Sequence, residues 1–155
     1  YNRLIYSLKR EHRRDVVTFL AKELAESVRA QVKNPEALVV TSVPRRKDAV
    51  LTVGYDHAEA LAKQTAKLLG APYLSLLCSK GKKAQKETVG EERYRNAVFD
   101  YASGRETDLS GTRVLLVDDV VTTGASMGNC AMLLHGLGAK QIIGAAVAIA
   151  YPDKR

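Results

Sequence analysis

Tryptophan is missing from the sequence and cysteine nearly so: Cys78 and Cys130 stand far apart, with no Cys-x-x-Cys spacing. A structural zinc site or a disulfide framework has nothing to build on, and two buried thiols in a reduced, cytoplasmic setting are expected. Histidine is just as sparse. His12, His57 and His135 share no metal-ligand spacing and read as ordinary surface or capping residues. No apolar run nears the roughly 18 residues that cross a membrane, and the longest, residues 144–150, falls far short. Residues 1–14 are basic without an apolar signal core, so no secretory leader is expected. Two common nucleotide fingerprints are absent as well. No Gly-Lys-Ser or Gly-Lys-Thr closes a P-loop, and no Gly-x-Gly-x-x-Gly follows a strand.

What is present suits one soluble domain. The 155 residues are 46% hydrophobic and 26% charged, without repeats or low-complexity linkers. Lysine and arginine number 24 against 17 acids, a net charge of +7, which favours anionic partners. Val17, Leu20, Leu24 and Val28 recur at helical spacing. Residues 37–43 are apolar and β-branched after the Asn34-Pro35 breaker, and predict a buried strand. Asp56, with Glu59 three residues on, resembles a capping box for a helix through Leu61, Thr65 and Leu69 that stops at Gly70. A second strand is expected over 72–78, then a polar loop over 79–90. Thr88 and Glu91 would cap a short helix carrying Arg93 and Asn96. Residues 112–117 read as a third strand ending at Asp118, residues 125–137 as a helix closed by Gly138, and 141–149 as a last strand. Alternating strands and helices predict an α/β fold with a mainly parallel sheet covered on both faces.

Chemistry concentrates in Val114-Leu115-Leu116-Val117-Asp118-Asp119-Val120-Val121-Thr122-Thr123-Gly124-Ala125-Ser126. A buried strand leads into two carboxylates, and a loop of small residues then opens a helix. In open α/β sheets ligands bind beyond the carboxyl ends of the strands. Residues 122–126 supply three hydroxyls and backbone N–H groups, and Gly124 lets the main chain pass close to an anion at a helix start. Such a loop is a phosphate cradle, and Asp118 and Asp119 lie just behind it, where they can accept hydrogen bonds from sugar hydroxyls. After the first strand, Arg45, Arg46 and Lys47 can grip a diphosphate.

The segment around Asp118 resembles the PRPP-binding motif of type I phosphoribosyltransferases. Val43-Pro44-Arg45-Arg46, Gly54-Tyr55-Asp56-His57-Ala58-Glu59, Gln85, and Glu92-Arg93 with Asn96 fall in the order seen in ComF-like, competence-associated homologues of those enzymes. The resemblance implies the type I phosphoribosyltransferase fold, a twisted, mainly parallel sheet flanked by helices under a flexible hood, as a single domain over 1–155. It implies that Asp118 and Asp119 contact the ribose and that Thr122, Thr123, Gly124, Ala125 and Ser126 hold the 5′-phosphate. Pro44, Arg45, Arg46 and Lys47 become the pyrophosphate loop. Lys82, Lys83, Gln85, Arg93 and Asn96 belong to the hood. Two departures stand out. Val53 replaces a common arginine, and the cysteine-rich zinc ribbon usual at the N-terminus of ComF-like chains is not among these residues. Thr122 stands where purine-using relatives carry an aspartate, which argues against hypoxanthine or guanine salvage.

The expected activity is transfer of a phosphoribosyl group from PRPP to a nitrogen nucleophile, with Mg²⁺ bridging diphosphate and ribose. No general base is assignable. The alternative is a non-catalytic PRPP or nucleotide sensor, or an accessory in DNA uptake. Nucleic acid is the less favoured partner, because the basic face of Lys9, Arg10, Arg13 and Arg14 lacks interleaved aromatics. No membrane partner is expected, and a homodimer stays open, since relatives of this fold often pair.

Overall fold

The computed structural model describes residues 14–45, 50–51, 54–81, 98–102 and 107–150. Helix α1 (Arg14–Gln31) is followed by a single 3-10 turn and strand β1 (Leu38–Ser42). Helix α2 (His57–Leu69) leads to β2 (Leu77–Gly81), β3 (Val98–Tyr101), β4 (Arg113–Val121), helix α3 (Ala125–Gly136) and β5 (Gln141–Ile149). The main sheet has the order β1-β4-β5, parallel throughout, with Leu38 opposite Arg113 and Val114 opposite Ile142. The expected parallel α/β fold is the one observed.

Side-chain parity in β4 splits the core. Leu115 and Val117 join Leu38 and Val40 under α1 and α2, whereas Val114 and Leu116 face Cys130 and Leu134 of α3. All four β4 residues are fully buried, as the central strand of a parallel sheet demands. Helices α1 and α2 come close because Ala21 and Ala25 on one, and Ala58, Ala62 and Ala66 on the other, are small and buried. The predicted helix ends hold. Asp56 caps α2 by accepting from the Glu59 N–H at 3.0 Å, and Gly70 ends it at φ 69°. The Glu59 carboxylate itself reaches Lys63 at 2.7 Å on the surface.

Three expectations are corrected. The strand expected over 72–78 is only a bridge, Tyr73 to Val40, held by Val40 N–H to Pro72 O and Leu74 N–H to Val40 O, both 2.9 Å. The chain then leaves the parallel sheet, and β2 pairs antiparallel with β3 instead. Leu76 and Leu77 are buried beside Leu109 and α3, so their apolar character serves the second layer rather than a longer sheet strand. Strand β4 does not stop at Asp118 but runs to Val121, because Asp118, Val120 and Val121 stay in register with Ala146, Ala148 and Ile149. Cys130 is buried as expected, but Cys78 is half-buried, its thiol donating to the Tyr101 carbonyl at 3.4 Å.

The β2–β3 pair borders the segment expected to form the hood. It is anchored on α3: the Tyr101 hydroxyl donates to the Leu133 carbonyl at 3.2 Å, and a Cβ at Gly136 would lie 2.8 Å from that oxygen. Lys80 forms an exposed ion pair with Asp100 across the pair. Arg46, Lys47, Val53, Lys82, Lys83, Gln85, Arg93 and Asn96, the basic residues Lys9, Arg10 and Arg13, and the short helix expected after Thr88 all lie outside the described residues.

Candidate functional site

The carboxyl end of β4 carries the predicted acids. Each folds its carboxylate back on the next amide: Asp119 N–H donates to Asp118 Oδ1, and Val120 N–H to Asp119 Oδ1, both at 2.8 Å. Asp118 is half-buried, and burial pushes its carboxyl up to about 7, reinforced by the adjacent Asp119 and by Asp56 across the cleft. Both acids line a cleft of about 220 Å³, together with Pro44, Arg45, Asp56, Ser79, Phe99 and Ser126. Three strands and two helix starts thus converge on one hollow.

Beyond the acids the chain turns through Thr122, Thr123 and Gly124 into α3, enclosing a depression of about 40 Å³ with Ala125 and Ser126 on its wall. Gly124 is the N-cap, at φ 78°, a left-handed conformation that favours glycine. As a glycine the N-cap offers no side chain to cap the helix, and the first turn carries no acid. Thr123 Oγ1 takes the Ala125 N–H at 3.3 Å. Helix starts ordinarily recruit an Asp or Glu to their orphan amides and positive dipole end. Here no acid takes that position, and an open loop of small residues at a helix start is the kind of place that can receive an anion.

Arg45 faces the acids from the end of β1. Its backbone N–H donates to Asp56 Oδ2 at 3.3 Å, and its guanidinium lies 2.9 Å from His57 Nδ1. His57 overturns its sequence reading: it is not a surface or simple capping residue but 1% exposed, packed edge-on against Tyr55 with ring centroids 5.2 Å apart. The signal was available. Counting back four residues from Leu61, Thr65 and Leu69 places position 57 on the buried face of α2. Ser79 was also missed. It is buried in the cleft wall with a hydroxyl that has no hydrogen-bond partner among the described residues, and nothing in the polar run around it marked it out.

A larger cavity of about 560 Å³ lies between α1 and α2 on the far side of Asp56, lined by Arg14, Thr18, Glu59 and Lys63 among others. Size alone does not make it the site, since it lacks the paired acids and the open helix start. Among the described residues, no group of three or more His, Cys, Asp or Glu is gathered for a metal ion, and no helix is long and apolar enough to cross a membrane.

The phosphoribosyl transferase domain family matches this chain over residues 11–155. The chain belongs to the phosphoribosyltransferase family. It is similar to Competence protein F of Haemophilus influenzae, at 31% identity over 116 residues, which are 72% of this chain and 49% of that protein. It also matches Ribose-phosphate pyrophosphokinase 2 of Archaeoglobus fulgidus at 35% identity over 57 residues, 37% of this chain and 21% of that protein. The chain therefore spans about half the length of the first relative and about a fifth of the second. Among solved structures, the purine phosphoribosyltransferase from Pyrococcus horikoshii superposes with a TM-score of 0.57 at 21% identity, over 88% of this chain and 75% of that one. The phosphoribosyltransferase fold and the competence-type resemblance read from the motifs are both borne out.

Proposed function

We propose that this phosphoribosyltransferase-family domain binds PRPP in the cleft at the end of β4 and transfers its phosphoribosyl group to a nitrogen nucleophile, releasing pyrophosphate. One observation carries the reading. Paired acids and Arg45 line one cleft, the helix start lines the adjoining depression, and Asp118 and Ser126 belong to both. PRPP has the matching order: a 5′-phosphate, a ribose with two free hydroxyls, and a diphosphate. Thr122, Thr123, Gly124, Ala125 and Ser126 anchor the 5′ end. Asp118 and Asp119 accept from the ribose hydroxyls and orient the sugar. Pro44, Arg45, Arg46 and Lys47 receive the diphosphate, and Arg45 stabilises the charge that grows as the C1′–oxygen bond breaks and the nitrogen–C1′ bond forms. Lys83 and Arg93 act from the hood, which keeps water from the electron-poor C1′.

Mg²⁺ fits this donor set. Two hard carboxylates beside a diphosphate suit a cation that keeps several waters and relies on substrate oxygens rather than a protein cage. When bound, it supplies charge neutralisation for the leaving pyrophosphate. We place this single domain in the cytoplasm, with PRPP or a nucleotide as its partner.

Calorimetric titration with PRPP and Mg²⁺, followed by pyrophosphate-release assays across nucleobases, tests the proposal. Wild type binds, and Asp118→Asn with Asp119→Asn abolishes binding while the circular dichroism spectrum is unchanged. Normal binding by the double variant removes the ribose assignment. The similarity to Competence protein F favours a second reading, a PRPP-sensing or DNA-uptake accessory without catalysis. Binding without pyrophosphate release, whatever the base, selects it.

A further inference from the structure

The grip on Arg45 is built in a way that the motif does not require. Arginine donates and cannot accept, so the 2.9 Å contact makes His57 Nδ1 the lone-pair nitrogen of a neutral ring, with the proton on Nε2. The ring cannot swing away, because it is 1% exposed at the first turn of α2 and abuts Tyr55 at an interplanar angle of 72°. The neighbouring Asp56 carboxylate is engaged elsewhere. Asp56 directs Oδ2 to the Arg45 backbone N–H at 3.3 Å and Oδ1 to the Glu59 backbone N–H at 3.0 Å.

The consequence is electrostatic. A carboxylate partner fixes an arginine but cancels its charge, whereas an uncharged imidazole fixes it and leaves the full positive charge for an incoming anion. We propose that His57 is a positioning residue that holds the Arg45 guanidinium, in ion-pair contact with no acid among the described residues, for the diphosphate arm of the ligand. The inference rests on the PRPP reading of the cleft and assigns His57 a role within it. On this reading the effect of His57 on the ligand passes through the Arg45 side chain it contacts and spares the phosphate seat at Gly124.

The test compares wild type, His57→Leu, His57→Gln, Arg45→Ala and the His57→Leu/Arg45→Ala pair by calorimetry, using PRPP and, separately, ribose 5-phosphate. His57→Leu is expected to weaken PRPP binding about tenfold, the cost of immobilising one long side chain at binding. His57→Gln, whose amide oxygen still accepts, recovers most of that loss. His57→Leu has no further effect once Arg45 is alanine, and ribose 5-phosphate binds all five proteins alike. Should His57→Leu fail to fold, His57→Met takes its place. The inference is overturned if a folded His57→Leu or His57→Met binds PRPP as wild type does, if the loss persists undiminished in the Arg45→Ala background, or if ribose 5-phosphate affinity falls in parallel. If wild type binds ribose 5-phosphate but not PRPP, the diphosphate arm is misassigned and the inference falls while the phosphate seat stands. If wild type binds neither, the reading of the cleft itself has failed, and the role of His57 goes with it.

Discussion

The two loops proposed to receive the ligand's anionic ends are built by opposite means. The turn before α3 is made mostly of main chain: a left-handed Gly124, a helix start without an acidic cap, and a Thr123 hydroxyl that accepts from the Ala125 amide. The turn after β1 is made of side chains, with Arg45 held by Asp56 and His57 from the start of a neighbouring helix. A main-chain seat is set by conformation and tolerates many side chains provided the glycine is kept. A side-chain grip depends on residue identity at three positions, two of them far from Arg45 in sequence. The first kind of site leaves a contiguous mark in a sequence, and the second does not.

Changes that strike where the two loops meet, then one, then the other, sharpen that contrast. Asp118 lies at the junction and has the largest expected effect. Its carboxyl rises from 3.8 to about 7 in the fold, so the folded state holds more protons than the unfolded chain between those values. Stability from this group is therefore greatest below about pH 4, falls as pH rises through the window, and levels off above about pH 7. The change amounts to at most about 4 kcal/mol. Asp118→Asn flattens the dependence and is more stable than wild type at pH 8 in the absence of ligand, measured by urea titration at several pH values. A wild-type profile parallel to the variant's removes the junction from the account.

Within the main-chain seat, Gly124→Val forces a β-branched residue to φ 78° and costs about 1–3 kcal/mol, although the space around its Cβ is open. Gly128→Ala, four residues on in the same helix and equally uncrowded, has ordinary helical geometry and gains about 0.5–1 kcal/mol. Thermal melts of both variants should move in opposite directions, and movement in the same direction refutes a conformational role for Gly124. In the side-chain grip, Asp56→Ala removes the α2 cap and the Arg45 backbone tether together. It costs about 1 kcal/mol, and it weakens PRPP binding while leaving ribose 5-phosphate binding intact.

The same division explains what was legible from sequence. The strand, acids and loop from Val114 to Ser126 were readable because one buried strand and one helix start are adjacent in the chain, as were the Asp56 cap and the Gly70 stop. The extension of β4 to Val121 was not, since it depends on Ala146 and Ala148 keeping the neighbouring strand in register. The departure of Leu76 and Leu77 to a second sheet was hidden for a related reason. Apolar residues announce burial but not the layer that buries them, and the partner strand Val98–Tyr101 lies far along the chain. His57 was obscured by its type, because a histidine beside a capping aspartate looks like surface until the face of the helix is traced back to it.

Gly136 joins two parts of the molecule at a point where neither has room to grow. The Tyr101 hydroxyl sits where a Cβ at 136 would have to stand, and it ties the two-stranded layer to the far turn of the helix that begins at Gly124. One helix therefore carries the Gly124 turn at its start and the anchor of the β2–β3 pair in its last turns, so the two regions share a single element and a displacement of either end is felt at the other.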